Sequence, residues 1–353
     1  MNTTDILHIR LHNQLLAGSH LKEPQEVIAY MGAMQAQAYE MAKWGIGLRL
    51  PGATNKSVEE AVNEGKIIRT HILRPTWHFV AAEDIHWMLE LSAPRIKPMF
   101  VNYGKMNGVD EETIIKNVRL LAGILEKYGH LTKQEIEEHL KAEGYDTARY
   151  ETSYILSCAE QEGIVCNGVV RGAKQTYALL HERVPKTHSL VKEEALERLA
   201  RKFFTSHGPA TLDDYVWWSG LLVSDARKSM ELIKDDFISE EIDGKSYWMK
   251  NNIQIPSIET NLALLLPAFD EYVVSYKDRS NMVNPEHWKP ISKNGMFAPT
   301  LHLNGKMLGH WRKVNKKNKI EIELTFFEKT PQKQQNLFKE YIQRCVAFYR
   351  KEN

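Results

Sequence analysis

The chain has few cysteines, and none of them has the spacing of a thiolate metal site. Cys158, Cys166 and Cys345 are odd in number and form no C-x-x-C pair. Neither a disulfide framework nor a four-thiolate zinc or iron–sulfur site can be built from them. Any catalytic chemistry must therefore use other side chains.

Long apolar segments are also missing. The apolar run at residues 262–266 ends at Pro267, and no run approaches the roughly 20 residues that a membrane-spanning helix needs. The first residues, Met-Asn-Thr-Thr-Asp-Ile-Leu-His, have neither the basic start nor the apolar stretch of a signal peptide. We expect a cytoplasmic protein that has no membrane partner.

Several enzyme signatures do not occur. The sequence contains no G-x-x-x-x-G-K-[ST], G-x-G-x-x-G, H-E-x-x-H or G-x-S-x-G, which argues against nucleotide hydrolysis, dinucleotide chemistry, zincin proteolysis and α/β-hydrolase activity. His8 and His12 have the i,i+4 spacing of helical metal ligands, but no third ligand is close in sequence, and a solvated helix face is the simpler interpretation. We expect neither a metal nor a cofactor.

The net charge excludes a polycation but hides a local excess. The 353 residues include 46 basic and 45 acidic side chains, for a net charge of +1. Residues 277–319 contain ten basic and two acidic residues, so this segment carries +8 and the rest of the chain −7. Such a segment favours contacts with phosphate groups. A lysine-rich hairpin that discourages edge pairing is an equal interpretation for Lys316, Lys317 and Lys319.

Helix and hairpin patterns recur along the chain. Helical periodicity at residues 4–16, after Pro24 and at 58–63 precedes two strand-like segments at 67–73 and 76–80. The same order returns at residues 114–180, where Thr132 and Glu135 predict a capping box, and at residues 191–249, where Asp243 and Gly244 predict a hairpin turn. The second and third copies share a glycine stop and a threonine cap in segments 79 residues apart, at Gly129 to Thr132 and Gly208 to Thr211. Three helices followed by a hairpin is the order of a winged helix.

We therefore predict an α+β, mostly helical protein of three tandem winged-helix units. The predicted units are residues 1–108, 109–186 and 187–255, and a β-rich, barrel-like basic domain follows at residues 256–353 and ends in a helix. Tandem winged helices favour DNA binding, and a scaffold for other proteins is the other interpretation. At about 150 residues per domain, a chain of 353 residues is expected to form two or three domains.

Two glutamines follow the second helix in the segment Met-Gln-Ala-Gln-Ala at residues 34–38. On a regular helix, residues i and i+2 point about 200° apart, so Gln35 and Gln37 can serve one site only where the helix ends or kinks. Paired glutamines near a helix end are commonly surface residues. Periodicity alone does not assign them a function.

Five segments together resemble one family. They are residues 11–16 (LHNQLL), 34–37 (MQAQ), 69–80 (RTHILRPTWHFV), 208–220 (GPATLDDYVWWSG) and 264–279 (LLLPAFDEYVVSYKDR). Their order and spacing are similar to those of the winged-helix DNA-binding family that contains the AlkZ-type DNA glycosylases, and the similarity covers nearly the whole chain. A YcaQ-type branch carries Gln-x-Asp, so Gln37 indicates the AlkZ-like branch.

The resemblance implies a bacterial, monofunctional glycosylase that hydrolyses the N-glycosidic bond of alkylated purines in double-stranded DNA, including bases in interstrand cross-links. In this family the catalytic pair falls on Gln35 and Gln37. An N7- or N3-alkylated purine is already cationic and leaves without protonation, so amides that position a water molecule suffice. Since neither amide titrates, the chemical step should depend weakly on pH near neutrality.

Other site residues are less closely specified. Trp77 is a candidate to stack on a base or a core residue, and His78 is a candidate for the lesion pocket or a structural histidine. Asp270, Glu271 and Tyr272 are candidates to face a cationic base. Asp278 and Arg279 fit an internal ion pair equally well. The DNA-binding candidates are Lys277, Arg279, Arg312, Lys313, Lys316 and Lys317, of which Arg312 suits bidentate phosphate binding best.

A non-catalytic DNA-binding regulator is the rival interpretation. A regulator would normally be a symmetric dimer that reads a palindrome, whereas the three units here are unequal. A protein-interaction scaffold would leave the basic segment unexplained. We expect a monomer at the bacterial nucleoid, with no obligate protein partner. Because a cross-linked base cannot be extruded into a closed pocket, an open, concave site would be the consistent geometry.

Overall fold

A computed structural model describes residues 1–145, 151–186, 189–252, 261–316 and 319–350. About half of the chain is helical, and the strands form several small sheets. The predicted α+β class is confirmed. Lys317 lies outside the described residues. Among the described helices, none is both long and apolar enough to cross a membrane.

The first region consists of short helices around a three-stranded sheet. Its elements are α1 (Thr3–Asn13), α2 (Pro24–Met31), β1 (Met34–Gln35), α3 (Tyr39–Arg49), α4 (Asn55–Asn63), β2 (Ile67–Ile72), β3 (Thr76–Ala81) and α5 (Ile85–Met106). The sheet has the order β1-β3-β2. Strand β2 is buried along its whole length, because helices pack on both of its sides. The sheet is thus a rigid support for the short strand β1.

Two helices of this first region, α3 and α5, and strand β1 were not predicted from the sequence. Nine of the eleven residues of α3 are buried, so this helix has no polar face and its sequence shows no amphipathic period. Helix α5 contains Pro94 and Pro98, which normally end or kink a helix. Helix α4 begins one turn earlier than expected, because Thr54 rather than Ser57 is its cap and the two side chains form a capping box.

The second region repeats the order of the first. Its elements are α6 (Glu111–Tyr128), β4 (Leu131–Thr132), α7 (Lys133–Ala142), α8 (Thr152–Gln161), β5 (Val165–Asn167), β6 (Thr176–Leu179) and α9 (Leu180–Arg183). The sheet order β4-β6-β5 corresponds to that of the first sheet. The predicted capping box of Thr132 and Glu135 is confirmed. This region has a hydrophobic core of its own.

The third region has the same helices and hairpin but a reduced sheet. Its elements are α10 (Lys192–Ser206), α11 (Leu212–Ser219), α12 (Val223–Ile233), β7 (Phe237–Ile242) and β8 (Lys245–Lys250). A single bridge between Ala210 and Trp248 stands where the other regions have a short first strand. The predicted hairpin turn at Asp243 and Gly244 is confirmed, and both residues have positive φ, as a type I′ turn requires.

The last region contains an open sheet rather than a barrel. Its elements are β9 (Ala263–Leu266), α13 (Glu271–Val274), β10 (Ser292–Lys293), β11 (Met296–Phe297), β12 (Thr300–Leu303), β13 (Lys306–Lys316), β14 (Lys319–Phe326) and α14 (Gln332–Tyr349). The main sheet has the order β14-β13-β12-β9, and its two edges do not pair with each other in the described residues. The predicted barrel-like closure is therefore wrong.

Helix α14 and strand β9 attach this region to the first one. The Trp44 indole N–H donates to the carbonyl oxygen of Leu265 over 2.8 Å. Near the end of the chain, the Tyr349 hydroxyl donates to the carbonyl oxygen of Glu40 over 2.9 Å, and Arg344 donates to that of Gly47 over 2.8 Å. These contacts bring α13 next to β1, where the candidate site lies.

Candidate active site

The Gln-x-Gln segment lies outside any helix, because Gln35 ends strand β1 and Gln37 follows in a bend before helix α3. Gln35 lies opposite His78 in the antiparallel pairing of β1 and β3, and the Ala36 N–H donates to the Trp77 carbonyl oxygen over 2.7 Å. The separation of about 200° between residues i and i+2 on a regular helix therefore does not apply to Gln35 and Gln37.

Main-chain hydrogen bonds hold this segment from both sides. The Gln35 N–H donates to Oε1 of Glu271 over 2.6 Å, and the Arg69 Nε–H donates to the Ala36 carbonyl oxygen over 3.0 Å. Neither glutamine side chain makes a hydrogen bond with the residues that the structure describes. The backbone is therefore fixed at Gln35 and Ala36, while neither amide group is engaged by a described residue.

Glu271 is a buried carboxylate behind Gln35. It is 0% exposed and accepts further hydrogen bonds from the Trp218 indole N–H over 3.0 Å and from the Ser275 hydroxyl. Burial alone would raise the pKa of this carboxyl. The contact with His207, the positive charge of Arg74 and the Ser275 hydroxyl outweigh burial and lower the pKa of Glu271 to about 2. The site therefore contains a fixed negative charge.

His207 contacts Glu271 from helix α10. Its Nε2 lies 3.5 Å from Oε2 of Glu271. Besides its bond to the Lys202 carbonyl oxygen, the Ser206 hydroxyl forms a hydrogen bond of 2.8 Å with Nδ1 of His207. This hydrogen bond fixes the orientation of the imidazole ring, and burial lowers the pKa of His207.

His78 is the fully buried neighbour of Gln35 on the central strand. Its Nδ1 lies 2.9 Å from the Thr76 carbonyl oxygen. Burial, followed by the positive charge of Arg74, lowers the pKa of His78 to about 3, so the ring is neutral at physiological pH. Nε2 of His78 and Oγ1 of Thr70, which lies opposite His78 on β2, are buried without a hydrogen-bond partner among the described residues.

Comparison with known proteins places these features in a family. The model of the family described as DNA glycosylase AlkZ-like matches residues 28–348. The chain belongs to the AlkZ-like DNA glycosylase family. The prediction of a DNA glycosylase is confirmed by this membership, and the matched region contains both Gln35 and Glu271.

Two comparisons with proteins of Streptomyces sahachiroi agree with the family. This AlkZ-like chain is 22% identical over 337 residues to a protein named interstrand DNA cross-link repair glycosylase, and the match covers 91% of this chain and 89% of the relative. The solved structure of the S. sahachiroi DNA glycosylase AlkZ matches with a TM-score of 0.81 at 20% identity and covers 98% of both chains. At that identity the structural match shows the fold alone.

Trp77 lies on the opposite face of the sheet from His78. The Arg69 guanidinium lies 4.4 Å from the centre of the Trp77 ring, and the His71 ring lies 4.5 Å away. The indole N–H also points to Glu160 at 3.5 Å. In this AlkZ-like chain the half-buried Trp77 thus packs between the first and second regions, and base stacking stays a prediction.

Asp270 and Tyr272 are buried and have partners within the protein. Both oxygens of Asp270 accept from the Arg49 guanidinium, at 2.8 and 2.9 Å, and Oδ1 also caps α13 at the Tyr272 N–H. The Tyr272 side chain is 0% exposed, and its hydroxyl donates to the Gly305 carbonyl oxygen over 3.3 Å. These contacts give both residues structural roles that the sequence did not reveal. A role in the lesion pocket stays a prediction.

The basic segment is partly neutralised by acids from neighbouring elements. Arg312 pairs with Glu323 at 2.5 Å and Lys316 with Glu321 at 2.5 Å, in both cases between β13 and β14. Three acids follow residue 319 closely in the sequence: Glu321, Glu323 and Glu328. The net charge of +8 for residues 277–319 therefore overstates the positive charge of this part of the chain. Both cations remain exposed and can exchange carboxylate for phosphate.

The other cations of the segment differ in their contacts. Lys277 pairs with Asp213 at 2.8 Å, and the Lys313 ammonium lies 3.6 Å from the centre of the Tyr349 ring. Arg279 donates to the Val273 carbonyl oxygen over 2.8 Å, and burial lowers its pKa to about 10. Asp278 pairs with Lys245 rather than with Arg279. The internal Asp278–Arg279 pair is therefore not formed. Arg279 instead donates hydrogen bonds to main-chain carbonyl oxygens.

Proposed function

We propose that this AlkZ-like glycosylase hydrolyses the N-glycosidic bond of N7- or N3-alkylated purines in double-stranded DNA, with Gln35 and Gln37 as the residues that position the water. The observation that carries the proposal is the Gln-x-Gln segment, whose backbone is held at Gln35 and Ala36 and whose two amide side chains make no hydrogen bond with described residues. A structural pair of glutamines would normally use its amides within the protein.

The arrangement suits a leaving group that is already cationic. Each amide offers a carbonyl acceptor and two N–H donors, so the pair can hold one water molecule in line with C1′. The contribution is one of position rather than of strong base catalysis. The fixed negative charge of Glu271, directly behind Gln35, favours the positive charge of the sugar in the transition state.

The DNA surface is proposed from the repeated element order. We propose that the three similar regions are winged-helix units at residues 1–108, 109–186 and 187–255, followed by a basic region at 256–353. Phosphate contacts are assigned to the exposed cations Arg312 and Lys316 and, with less freedom, to Lys277 and Lys313. The name of the S. sahachiroi relative supports cross-linked DNA as a further substrate. A monomer at the bacterial nucleoid is proposed as the working form.

A duplex that contains N7-methylguanine tests the activity directly. Wild-type protein should release the base and leave abasic sites, whereas Gln35→Ala and Gln37→Ala should bind the duplex with unchanged affinity and release little base. Gln134→Ala is the matched control, because Gln134 is an exposed residue of α7 that contacts only Glu138 among described side chains. Binding without release from any alkylated or cross-linked duplex would favour the non-catalytic regulator.

A further inference from the structure

The reaction releases a proton that neither glutamine can accept. When the C1′–N bond of a cationic purine breaks, its electron pair moves into the base and neutralises the ring. The new C1′–O bond comes from water, whose oxygen must then lose one proton to become the sugar hydroxyl. Gln35 and Gln37 are neutral amides with no useful basicity. A further group has to accept this proton.

We infer that Nε2 of His78 accepts the proton that the attacking water loses. The inference rests on the proposed glycosylase function. His78 lies directly opposite Gln35 in the antiparallel ladder, and directly opposite residues project from the same face with Cβ atoms about 4.5–5.5 Å apart. A water molecule that hydrogen-bonds to the Gln35 amide is therefore next to the His78 ring.

The hydrogen bond of the other ring nitrogen leaves Nε2 as an acceptor. A carbonyl oxygen can only accept, so Nδ1, which lies 2.9 Å from the Thr76 carbonyl oxygen, carries the hydrogen of the neutral ring. Nε2 then has a free lone pair, and it is buried with no partner among the described residues. A buried acceptor without a partner is unusual in a stable protein. The missing partner of Nε2 is explained if a water molecule binds to this nitrogen.

The carboxylates near Gln35 are already engaged. Both oxygens of Glu271 accept hydrogen bonds, from Gln35 on one side and from Trp218 and Ser275 on the other. Both oxygens of Asp270 are bound by Arg49. His78 lies directly opposite Gln35 and has a free lone pair at Nε2.

The charged groups around His78 act in opposite directions on the protonated ring. The Arg74 guanidinium on the turn between β2 and β3 and His71 on β2 disfavour the protonated ring, whereas Glu271 on α13 favours it. The ring is therefore neutral before the reaction. The water oxygen bonded to C1′ is far more acidic than an imidazolium, so even a weak base removes its proton, which later passes to solvent. The wild-type rate should then be independent of pH around neutrality, as the sequence analysis predicts.

Two substitutions separate proton transfer from a structural role. His78→Asn keeps an N–H donor near the Nδ1 position but removes Nε2, and His78→Gln places a non-basic amide near Nε2. His302→Asn is the matched control, because His302 is also fully buried, with its ring nitrogens near Gly305 and Thr300. The readouts are DNA affinity and the single-turnover rate of N7-methylguanine release between pH 5.5 and pH 9.

We expect His78→Asn to release base on the order of 100-fold more slowly than wild type at pH 7, with DNA affinity unchanged within about two-fold. Its rate should rise with pH as hydroxide replaces the missing base, whereas wild type and His302→Asn stay flat. For His78→Gln, the rate of base release should rise with pH in the same way. This variant replaces His78→Asn in the test if His78→Asn does not fold.

Two results would overturn the assignment of the proton to His78. They are a wild-type rate in both His78 variants, or an equal loss at every pH with a flat profile. If wild type itself releases no base, the proposed function has failed. If wild type releases base, Gln35→Ala does not, and the His78 profiles are flat, only the proton assignment has failed.

Discussion

The carboxylate of Glu271 accepts a hydrogen bond from the main-chain N–H of Gln35 over 2.6 Å, although 236 residues separate the two in sequence. A buried acid from the last region thus fixes the position of a strand in the first. The same carboxylate binds Trp218 from the third region. Three parts of the chain meet at one side chain beside the proposed catalytic pair.

Removal of this carboxylate should harm both stability and activity. Glu271→Ala leaves the Gln35 N–H and the Trp218 indole N–H buried without acceptors, and we expect a loss of about 3–5 kcal/mol in the free energy of unfolding. Base release should fall by about 100-fold or more, because Gln35 loses its fixed position. Glu271→Gln keeps an acceptor for Gln35 and should be milder. Urea unfolding and single-turnover kinetics measure the two effects, and an unchanged midpoint for Glu271→Ala would contradict this account.

The ion pair of Arg49 and Asp270 should matter mainly for folding. Arg49→Met leaves the Asp270 carboxylate buried and uncompensated, so we expect a loss of about 3–5 kcal/mol in the free energy of unfolding. The double variant Arg49→Met/Asp270→Leu removes both charges and should recover part of that loss. Denaturant titration of the two variants against wild type measures the difference. Equal stabilities of the single and double variants would show that the charges are not coupled.

Acid should destabilise the protein below about pH 6.5. The pKa of His78 is about 3 in the folded protein against an ordinary 6.5, so between these values the unfolded chain binds a proton that the folded chain does not. The free energy of unfolding therefore falls as pH falls through this window and is constant above it, by up to about 1.4 kcal/mol per pH unit for each such group. His302, with a pKa of about 4, acts in the same direction. Urea unfolding at pH 7.5 and pH 5 tests this, and His78→Asn should show a smaller difference.

The cations of the β13–β14 hairpin should act through phosphate contacts. We expect Arg312→Ala and Lys316→Ala each to weaken binding to duplex DNA of any sequence and to reduce the slope of log affinity against log salt concentration by about 0.9. Folding should be little affected, because both ion pairs are exposed. Arg201→Ala is the control, since Arg201 pairs with Glu197 and Asp236 outside this segment. Unchanged salt slopes in the hairpin variants would remove these residues from the DNA surface.

Local signals were sufficient for many elements of the fold. The glycine stops, the capping boxes at Thr132 and Thr211 and the turn at Asp243 and Gly244 depend on neighbouring residues, and each was predicted or closely approached from the sequence. Helix α3 was missed because burial on almost all sides removes the polar face that periodicity detects. The open edges of the last sheet depend on long-range pairing, which no local pattern records.

The site was predicted only in part for the same reason. The resemblance identified the Gln-x-Gln segment, but the sequence could not show that Gln35 lies on a strand, because β1 has two residues and is set by pairing with β3. The roles of Glu271, Arg69 and His78 follow from contacts between residues far apart in the chain. Asp270 and Tyr272 were candidates to face a cationic base because they belong to a segment with two carboxylates, yet both side chains are buried in the core.

The contact between Gln35 and Glu271 also sets an order of events during synthesis. At about 5–20 residues per second, the ribosome adds residue 271 roughly 12–47 s after residue 35. Throughout that interval the nascent first region lacks the acceptor that fixes Gln35 and the helix α14 that covers α3. If Gln35 acts as proposed, the nascent chain gains the position of this residue, and with it the ability to release a base, only after Glu271 has been synthesised.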